Sequence, residues 1–342
     1  MAPILKKLLS ATSLSALVLS LLFLGSSCIR EEESVNSAEG NFNALWQIID
    51  EHYCFLTYKG IDWDAVGDKY RAFLSDKMSD ENLFEVLGNM LSELRDGHVN
   101  LYNSANIARY WDYYEDYPRN FSEQIQEKYL GQGYRIASGM KYTILDDNIG
   151  YIALGSFSNG IGNGNVNQIL KYLELCNGLI IDVRNNGGGE ITNATVLAEH
   201  FTNDKKLIGY IMHKTGKGHD DFSEPNAMYI EPSDGIRWQK PAVVLTNRHS
   251  FSATNYFVNC MRYFENVRIV GDQTGGGSGL PYTSELPNGW GVRFSASPML
   301  DAEKNQIEFG IAPDVFCDMK EEDAANGADT IIETARKIIS AE

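Results

Sequence analysis

Two short apolar runs constrain the fold of this chain more than any other feature. Gly178-Leu179-Ile180-Ile181-Asp182-Val183 and Ala242-Val243-Val244-Leu245-Thr246 are continuous rather than alternating, and each leads into a turn and then a helical pattern. Such runs fit strands buried on both faces of a parallel sheet. Helical stripes surround them. Val166, Ile169, Leu170 and Leu173 mark one before the first run, and another helix is expected near Ile191 to Phe201. Ala253, Tyr256, Phe257, Cys260, Met261 and Phe264 mark a third after the second run. Ile149 to Leu154 and Val267 to Val270 read as further strands. This repetition predicts an α/β core over residues 141–342. With 342 residues, 43% of them hydrophobic, the chain holds enough apolar material for that core and a second module.

The second module is expected over residues 41–105 and reads as helical. Phe42, Leu45, Trp46, Ile49 and Tyr53 recur at helical spacing, as do Val66, Tyr70, Phe73 and Leu74. Ser79-Asp80-Glu81 supplies a capped start for a third helix, whose face runs from Leu83 to Leu94 and whose stop is read at Gly97. Residues 106–140 form an aromatic-rich connecting segment, with Tyr110, Trp111, Tyr113, Tyr114 and Tyr117, to which no element is assigned.

Ahead of all this, Lys6 and Lys7 precede an apolar run from Leu8 to Leu24 and then Gly25-Ser26-Ser27-Cys28. A basic start, an apolar stretch and small residues predict a signal peptide over 1–27, and the run is marginal for a membrane span. The cysteine after the small residues resembles a bacterial lipobox, with Gly25 as a departure from it. That resemblance implies lipidation at Cys28 and an exported envelope lipoprotein, and the polar stretch over 28–40 reads as a tether. Glu31 to Glu33 resemble signals that send lipoproteins to the cell surface, which implies an outer-membrane, surface-exposed location. A formal net charge of -17 argues against nucleic acid as a partner. Cys54, Cys176, Cys260 and Cys317 match no zinc spacing, so neither metal nor cofactor is expected. Cys176 and Cys260 fall within apolar patterns and read as buried thiols, with a disulfide left open.

Three segments carry residues suited to chemistry. Ser252 follows the Ala242–Thr246 strand and stands at the start of a helix. There a hydroxyl is exposed at a strand end, and free backbone N–H groups can receive an oxyanion. The bland alternative is a serine that merely caps the helix. Asp182-Val183-Arg184-Asn185-Asn186-Gly187-Gly188-Gly189-Glu190 also runs from a buried strand toward a helix, and its glycines let backbone amides approach a ligand closely. It lacks the phosphate-binding glycine patterns. Arg95-Asp96-Gly97-His98-Val99 places a histidine just past a helix stop.

Together these segments resemble the C-terminal processing, or tail-specific, serine peptidase family, and more closely its tricorn-core branch. The family's D-[VL]-R-x-N-x-G-G strand end is matched by Asp182 to Gly189. Its S-x-S-A-S-E segment is matched by Ser250-Phe251-Ser252-Ala253-Thr254-Asn255, which implies Ser252 as nucleophile. Gly271 to Gly276 match a G-[ED]-x-T-x-G segment, and Glu308 to Asp314 match the closing E-x-x-G-I-x-P-D with one residue fewer. Where tail-specific members carry a lysine base, this chain has Gly277. The tricorn-like branch uses histidine and an orienting glutamate, which implies His98 and Glu308. That branch can carry a hydroxyl residue before the histidine, where Gly97 stands here. The stretch between His98 and the Ile149 strand is too short for a PDZ domain.

The resemblance implies a Clp-protease and crotonase-like α/β core with an N-terminal helical module. It implies hydrolysis of peptide or protein substrates through an acyl-enzyme on Ser252, with His98 as general base. The backbone N–H groups of Gly188 and Ala253 are the implied oxyanion donors. His249 is a second candidate base. Two rival functions remain on the same fold: a non-catalytic protein that binds an apolar ligand or peptide, and an acyl-thioester enzyme of the crotonase type.

Overall fold

The computed structural model describes residues 35–341. The expected signal peptide and Cys28 lie outside the described residues, as does the tether up to residue 34. The described chain opens with helices α1 (Ala38–His52), α2 (Leu56–Lys59), α3 (Trp63–Arg71) and α4 (Asp80–Ser92). The Ser37 hydroxyl caps α1, Asp62 caps α3 and Ser79 caps α4, each accepting a backbone N–H of the first turn. Next come β1 (Asn100–Tyr102), β2 (Ile107–Arg109), α5 (Asp112–Glu115) and α6 (Glu123–Leu130). The core alternates β3 (Arg135–Ala137), β4 (Met140–Ile144), β5 (Ile149–Ala153), α7 (Asn163–Leu173), β6 (Gly178–Asp182) and α8 (Ile191–Glu199). It continues with β7 (Lys206–Ile211), β8 (Asn226–Ile230), β9 (Ala242–Thr246), α9 (Ala253–Met261), β10 (Val267–Gly271) and β11 (Gly279–Glu285). The chain ends with β12 (Gly291–Leu300), β13 (Val315–Phe316), α10 (Glu321–Ala325) and α11 (Thr330–Ala341).

The two apolar runs lie side by side at the centre of a seven-stranded sheet ordered β13-β10-β9-β6-β5-β4-β3. Pairing is parallel from β13 to β5 and antiparallel through β4 and β3. Every residue of β6 and β9 is buried, because helices cover both faces. One face packs on α7, α8 and α9 through residues such as Leu170, Leu197 and Phe257. The other packs on α11 through Ile331, Ile332 and Ala335.

A second sheet, ordered β2-β1-β12-β7-β8 with β11 also on β12, links this core to the helical module. Val292, Phe294 and Trp290 share one apolar core with Phe42, Leu45, Leu87 and Leu94. The module is therefore closed from below by a strand late in the sequence. The β1–β2 hairpin straddles residue 105, and the aromatic segment contains β2, α5, α6 and β3, so the core sheet begins ahead of residue 141. Helix α4 ends earlier than the Gly97 stop. Its cap is Glu93, and the left-handed residue is Arg95, with φ 48°. Gly97 is small for another reason. A Cβ there would stand 2.6 Å from the Tyr113 ring and 3.0 Å from that of Phe251. Cys54, Cys176 and Cys260 are buried free thiols, and Cys317 is free and half-buried. Among the described residues, no helix is long and apolar enough to cross a membrane.

Candidate active site

The turn after β9 exists because two buried strands and a helix must meet in a few residues. Ser252 takes φ 61° and ψ -120°, a left-handed conformation that a non-glycine residue adopts only when its surroundings hold it there. Three backbone hydrogen bonds do so. Phe251 N donates to Asn186 O at 3.1 Å, Ser252 N to Gly276 O at 2.8 Å, and Tyr256 N to Ser252 O at 3.0 Å. Ser252 stands at the N-cap position of α9, yet its side chain makes no capping bond. Its hydroxyl turns instead to His98, whose Nε2 lies 2.8 Å from Oγ. The capping alternative is thereby displaced by a side-chain pair joining residues 154 positions apart.

The glycine turn after β6 lies against this elbow. A Cβ on Gly188 would meet the Ser252 Cβ at 2.8 Å and the Ala253 N at 3.0 Å, so only glycine fits. The Ala253 N–H, first in α9, has no acceptor among the described residues. The Gly188 N–H already donates to Asn186 Oδ1 at 3.0 Å. The charges of this segment do structural work. Arg184 is fully buried, grips Asp182 at 2.6 Å and reaches Asp329 at 2.9 Å, which ties the turn to the start of α11. Thr274, from the G-D-x-T segment, donates to Asn255 Oδ1 at 2.6 Å and accepts from Ile311 N at 2.7 Å. That motif therefore anchors α9 to the closing loop.

His98 is buried and precedes β1, whose pairing with β12 carries it to the cleft. Asp96 Oδ1 accepts its backbone N–H at 2.8 Å, and Asn100 Nδ2 donates to its carbonyl at 2.8 Å. The imidazole packs on Phe251, centroid to centroid 4.8 Å. Among the described residues, no group takes its Nδ1. The third partner of a catalytic triad is thus missing from the ring, and backbone contacts and packing orient it instead. Loss of solvation pushes the His98 pKa down to about 4. The Asp96 charge opposes this, while Arg293, Lys59 and Arg109 reinforce it. The ring is neutral at neutral pH, the form that accepts a proton.

No hydrogen bond joins Glu308 to His98. Its Oε1 accepts from Lys59 Nζ at 2.9 Å and its Oε2 from Ser278 N at 2.8 Å. Lys59 Nζ also donates to Arg95 O at 3.1 Å and lies 3.8 Å from Asp96. Asp96 Oδ2 accepts from Tyr53 OH at 3.0 Å and Ser295 Oγ at 2.8 Å. Two buried carboxylates therefore share one buried cation beneath the histidine. Burial and the Asp96 charge push Glu308 up to about 7, although Lys59 opposes them. Burial alone would raise Asp96 as well, but Lys59, His98 and its hydrogen bonds hold it below its usual value. Lys59, Tyr53 and Ser295 were not marked as site residues from sequence. The available signal was a lone lysine in the apolar turn Phe55 to Gly60.

Gly277 explains the absent lysine. At φ 76°, a Cβ there would lie 2.5 Å from the Phe251 ring and 3.1 Å from His98 Cε1. The ring of His98 fills the approach that a side chain from position 277 would need. His249, the other candidate base, packs against Tyr114 with ring centroids 4.0 Å apart and the planes tilted by 32°, and no hydrogen bond joins it to Ser252. Ser252, His98, His249 and the aromatic residues Trp111, Tyr113 and Tyr114 line one cleft of about 390 Å³.

A serine at a strand-to-helix elbow, faced by a buried neutral imidazole and an unpaired N–H, is a site built for acyl transfer. Comparison with known proteins places the chain more narrowly. Residues 148–316 match the model of peptidase family S41, and residues 34–92 match the tricorn protease C1 domain. A protein of Parabacteroides merdae ATCC 43184 proposed to be a peptidase is 52% identical in its crystal structure. It superposes with a TM-score of 0.86 over 89% of this chain and 97% of that one. This chain belongs to peptidase family S41. The carboxy-terminal processing protease CtpA of Bacillus subtilis (strain 168) is 27% identical over 177 residues, covering 51% of this chain and 36% of that protein. The chain spans about a third of the length of the curated relatives it matches. Mature CPAF, at 12% identity, shares the fold with a TM-score of 0.68 over 89% of this chain and 96% of that one.

Proposed function

We propose that this protein is a serine peptidase that hydrolyses peptide or protein substrates through an acyl-enzyme on Ser252. The contact that carries the reading is the 2.8 Å approach of His98 Nε2 to a Ser252 Oγ held in a strained elbow. As Ser252 Oγ attacks the substrate carbonyl, its proton passes to His98 Nε2, and the carbonyl electrons move onto oxygen. The Ala253 N–H faces that oxyanion unencumbered. Gly188 is the second donor once its bond to Asn186 is exchanged. Collapse expels the amine, which takes the proton from His98, and water repeats the cycle to release the acid. Asp96 stabilises the transient imidazolium through its field, and Glu308 acts as a positioning residue through Lys59.

A fluorophosphonate probe tests this directly, because only an activated serine reacts. The wild-type protein should label at Ser252, Ser252→Ala should not label, and His98→Ala should label far more slowly. A wild-type protein that resists the probe would favour the non-catalytic binding reading. On the strength of Lys6, Lys7, the apolar run and Cys28, the protein is also proposed to be a lipid-anchored envelope protein at the outer membrane, exposed at the surface. Cys28→Ala should then leave the membrane fraction, and retention after a carbonate wash would refute the anchor. Protease shaving of intact cells that spares the protein would refute surface exposure.

A further inference from the structure

Two arginines of the cleft make no hydrogen bond to the Ser252–His98 pair, although their charges help to lower the His98 pKa. Asn100 of β1 stands opposite Arg109 of β2 on one side and Arg293 of β12 on the other. Residues in register across neighbouring strands share a face, so the two guanidiniums rise on the same side of the sheet, flanking Asn100. His98 is two residues before Asn100, and both arginines line the cleft that contains His98 and Ser252. Arg109 is fixed in place: its Nε donates to Asn100 Oδ1, and its guanidinium lies 4.5 Å over the Trp111 ring. The guanidinium of Arg293 has no hydrogen-bond partner among the described residues, and the residue is half-buried. Loss of solvation, and then the charge of Arg109, lower its pKa.

Neither arginine forms an ion pair among the described residues. Asp96, the acid whose field reaches Arg293, is already engaged by Tyr53, Ser295 and the His98 N–H. Glu190 lines the same cleft, but it is exposed and pairs with neither. In a chain of net charge -17, two neighbouring cations with no counter-ion among the described residues are an arrangement that folding alone does not favour. An anion between them removes the repulsion. A guanidinium fork matches the two oxygens of a carboxylate, which makes that the fitting chemistry in a peptide.

We propose that Arg109 and Arg293 form an anion subsite beside the Ser252–His98 pair, and that it binds a carboxylate of the substrate peptide. The inference rests on the peptidase reading for its substrate, and it makes the two arginines the determinants of specificity. The carboxylate belongs either to the peptide's C-terminus or to an Asp or Glu side chain.

Binding measured without turnover separates these sources and keeps the test independent of catalysis. Fluorescent peptides are titrated into Ser252→Ala protein by anisotropy: a free acid, its C-terminal amide, and amides with Asp or Glu scanned against Asn or Gln. At least one carboxylate peptide should bind about 10-fold or more tighter than its neutral partner. If the free acid alone gains, the C-terminus is the ligand; if an acidic side chain gains, the site reads that residue. Arg293→Gln and Arg109→Gln in the same background should abolish the preference, and Arg293→Lys should restore part of it. Equal or undetectable binding of every matched pair by the Ser252→Ala protein overturns the proposal, and that result needs no arginine variant to fold. Fluorophosphonate labelling of the wild-type protein reports separately on the peptidase reading. A labelled Ser252 with no carboxylate preference sinks the subsite alone. A carboxylate preference in a protein that does not label sinks the peptidase reading and leaves the subsite standing.

Discussion

The two halves of the site are made in different ways. The nucleophile half is built from short connections within one core: β9, its turn, and α9, braced by the glycine turn after β6 and by Gly276. Backbone hydrogen bonds and glycines hold the serine itself, and the buried ion pairs of Arg184 with Asp182 and Asp329 brace only the glycine turn behind it. The base half is assembled across the seam between the helical module and the core. Lys59 reaches Glu308 across 249 positions, and Ser295 reaches Asp96 across 199. Local backbone geometry thus fixes the serine, whereas a buried network of mutually dependent charges fixes the histidine. The second arrangement depends on docking, so the two halves should fail differently.

The largest effect should come from the pair itself. Ser252→Ala and His98→Ala should each lower turnover by roughly 10³-fold or more, and the double variant should be little worse than either, because groups acting as a unit are not additive. Melting temperatures near the parent's would show that chemistry rather than folding was lost. If the His98→Ala protein keeps parental turnover, the comparison collapses, and His249 becomes the residue to test.

Lys59→Met should separate the halves. Removing the cation leaves Asp96 and Glu308 buried without their shared partner, a change that typically costs about 3–5 kcal/mol. The melting temperature should fall and turnover should drop with it, because the seam carries His98. A Lys59→Met protein with parental stability and turnover would mean that the seam does not control the base.

The pH dependence sharpens the same point. His98 in the folded protein titrates at about 4, below the ordinary value of about 6.5. The ratio kcat/KM should therefore persist well below pH 6.5 and fall only toward pH 4. Between those values the unfolded chain binds more protons at this histidine, so its contribution to stability declines as pH drops. An acid limb centred at pH 6.5 would show that the imidazole is better solvated than its burial implies.

Glu308→Gln should have the smallest effect, a several-fold loss of turnover, because Glu308 acts through Lys59. Its carboxyl titrates at about 7, so below that pH the wild type carries a neutral group much like glutamine. The gap between variant and parent should open above pH 7 and close below it. Stability gives an independent readout. A folded pKa above the unfolded value favours the native state at low pH, and this contribution is lost as pH rises from about 4.5 through 7. Replacing Glu308 with glutamine should remove that decline from the melting temperature. A turnover gap that is constant with pH would make Glu308 a purely structural acid.

The sequence by itself determined the parts that depend on local pattern. Continuous apolar runs can be satisfied only by burial on both faces, so β6, β9 and the helices after them were legible from residues 178–183 and 242–264. The elbow serine and its neighbouring glycines stood out from the same register, whereas their roles, and His98 as the base, came from the resemblance of their motifs to a known family. Tertiary structure decided what those patterns leave open. It turned Ser252 away from the capping role that a serine at a helix start usually takes. It gave Gly97 and Gly277 their reasons, which are the rings of Tyr113 and Phe251 and not the ending of a helix. It paired Glu308 with Lys59, and it set Arg109 and Arg293 on either side of Asn100. Each of these rests on contacts between residues far apart in the chain. Periodicity reports which face of an element is buried, but it carries no record of what that face will meet.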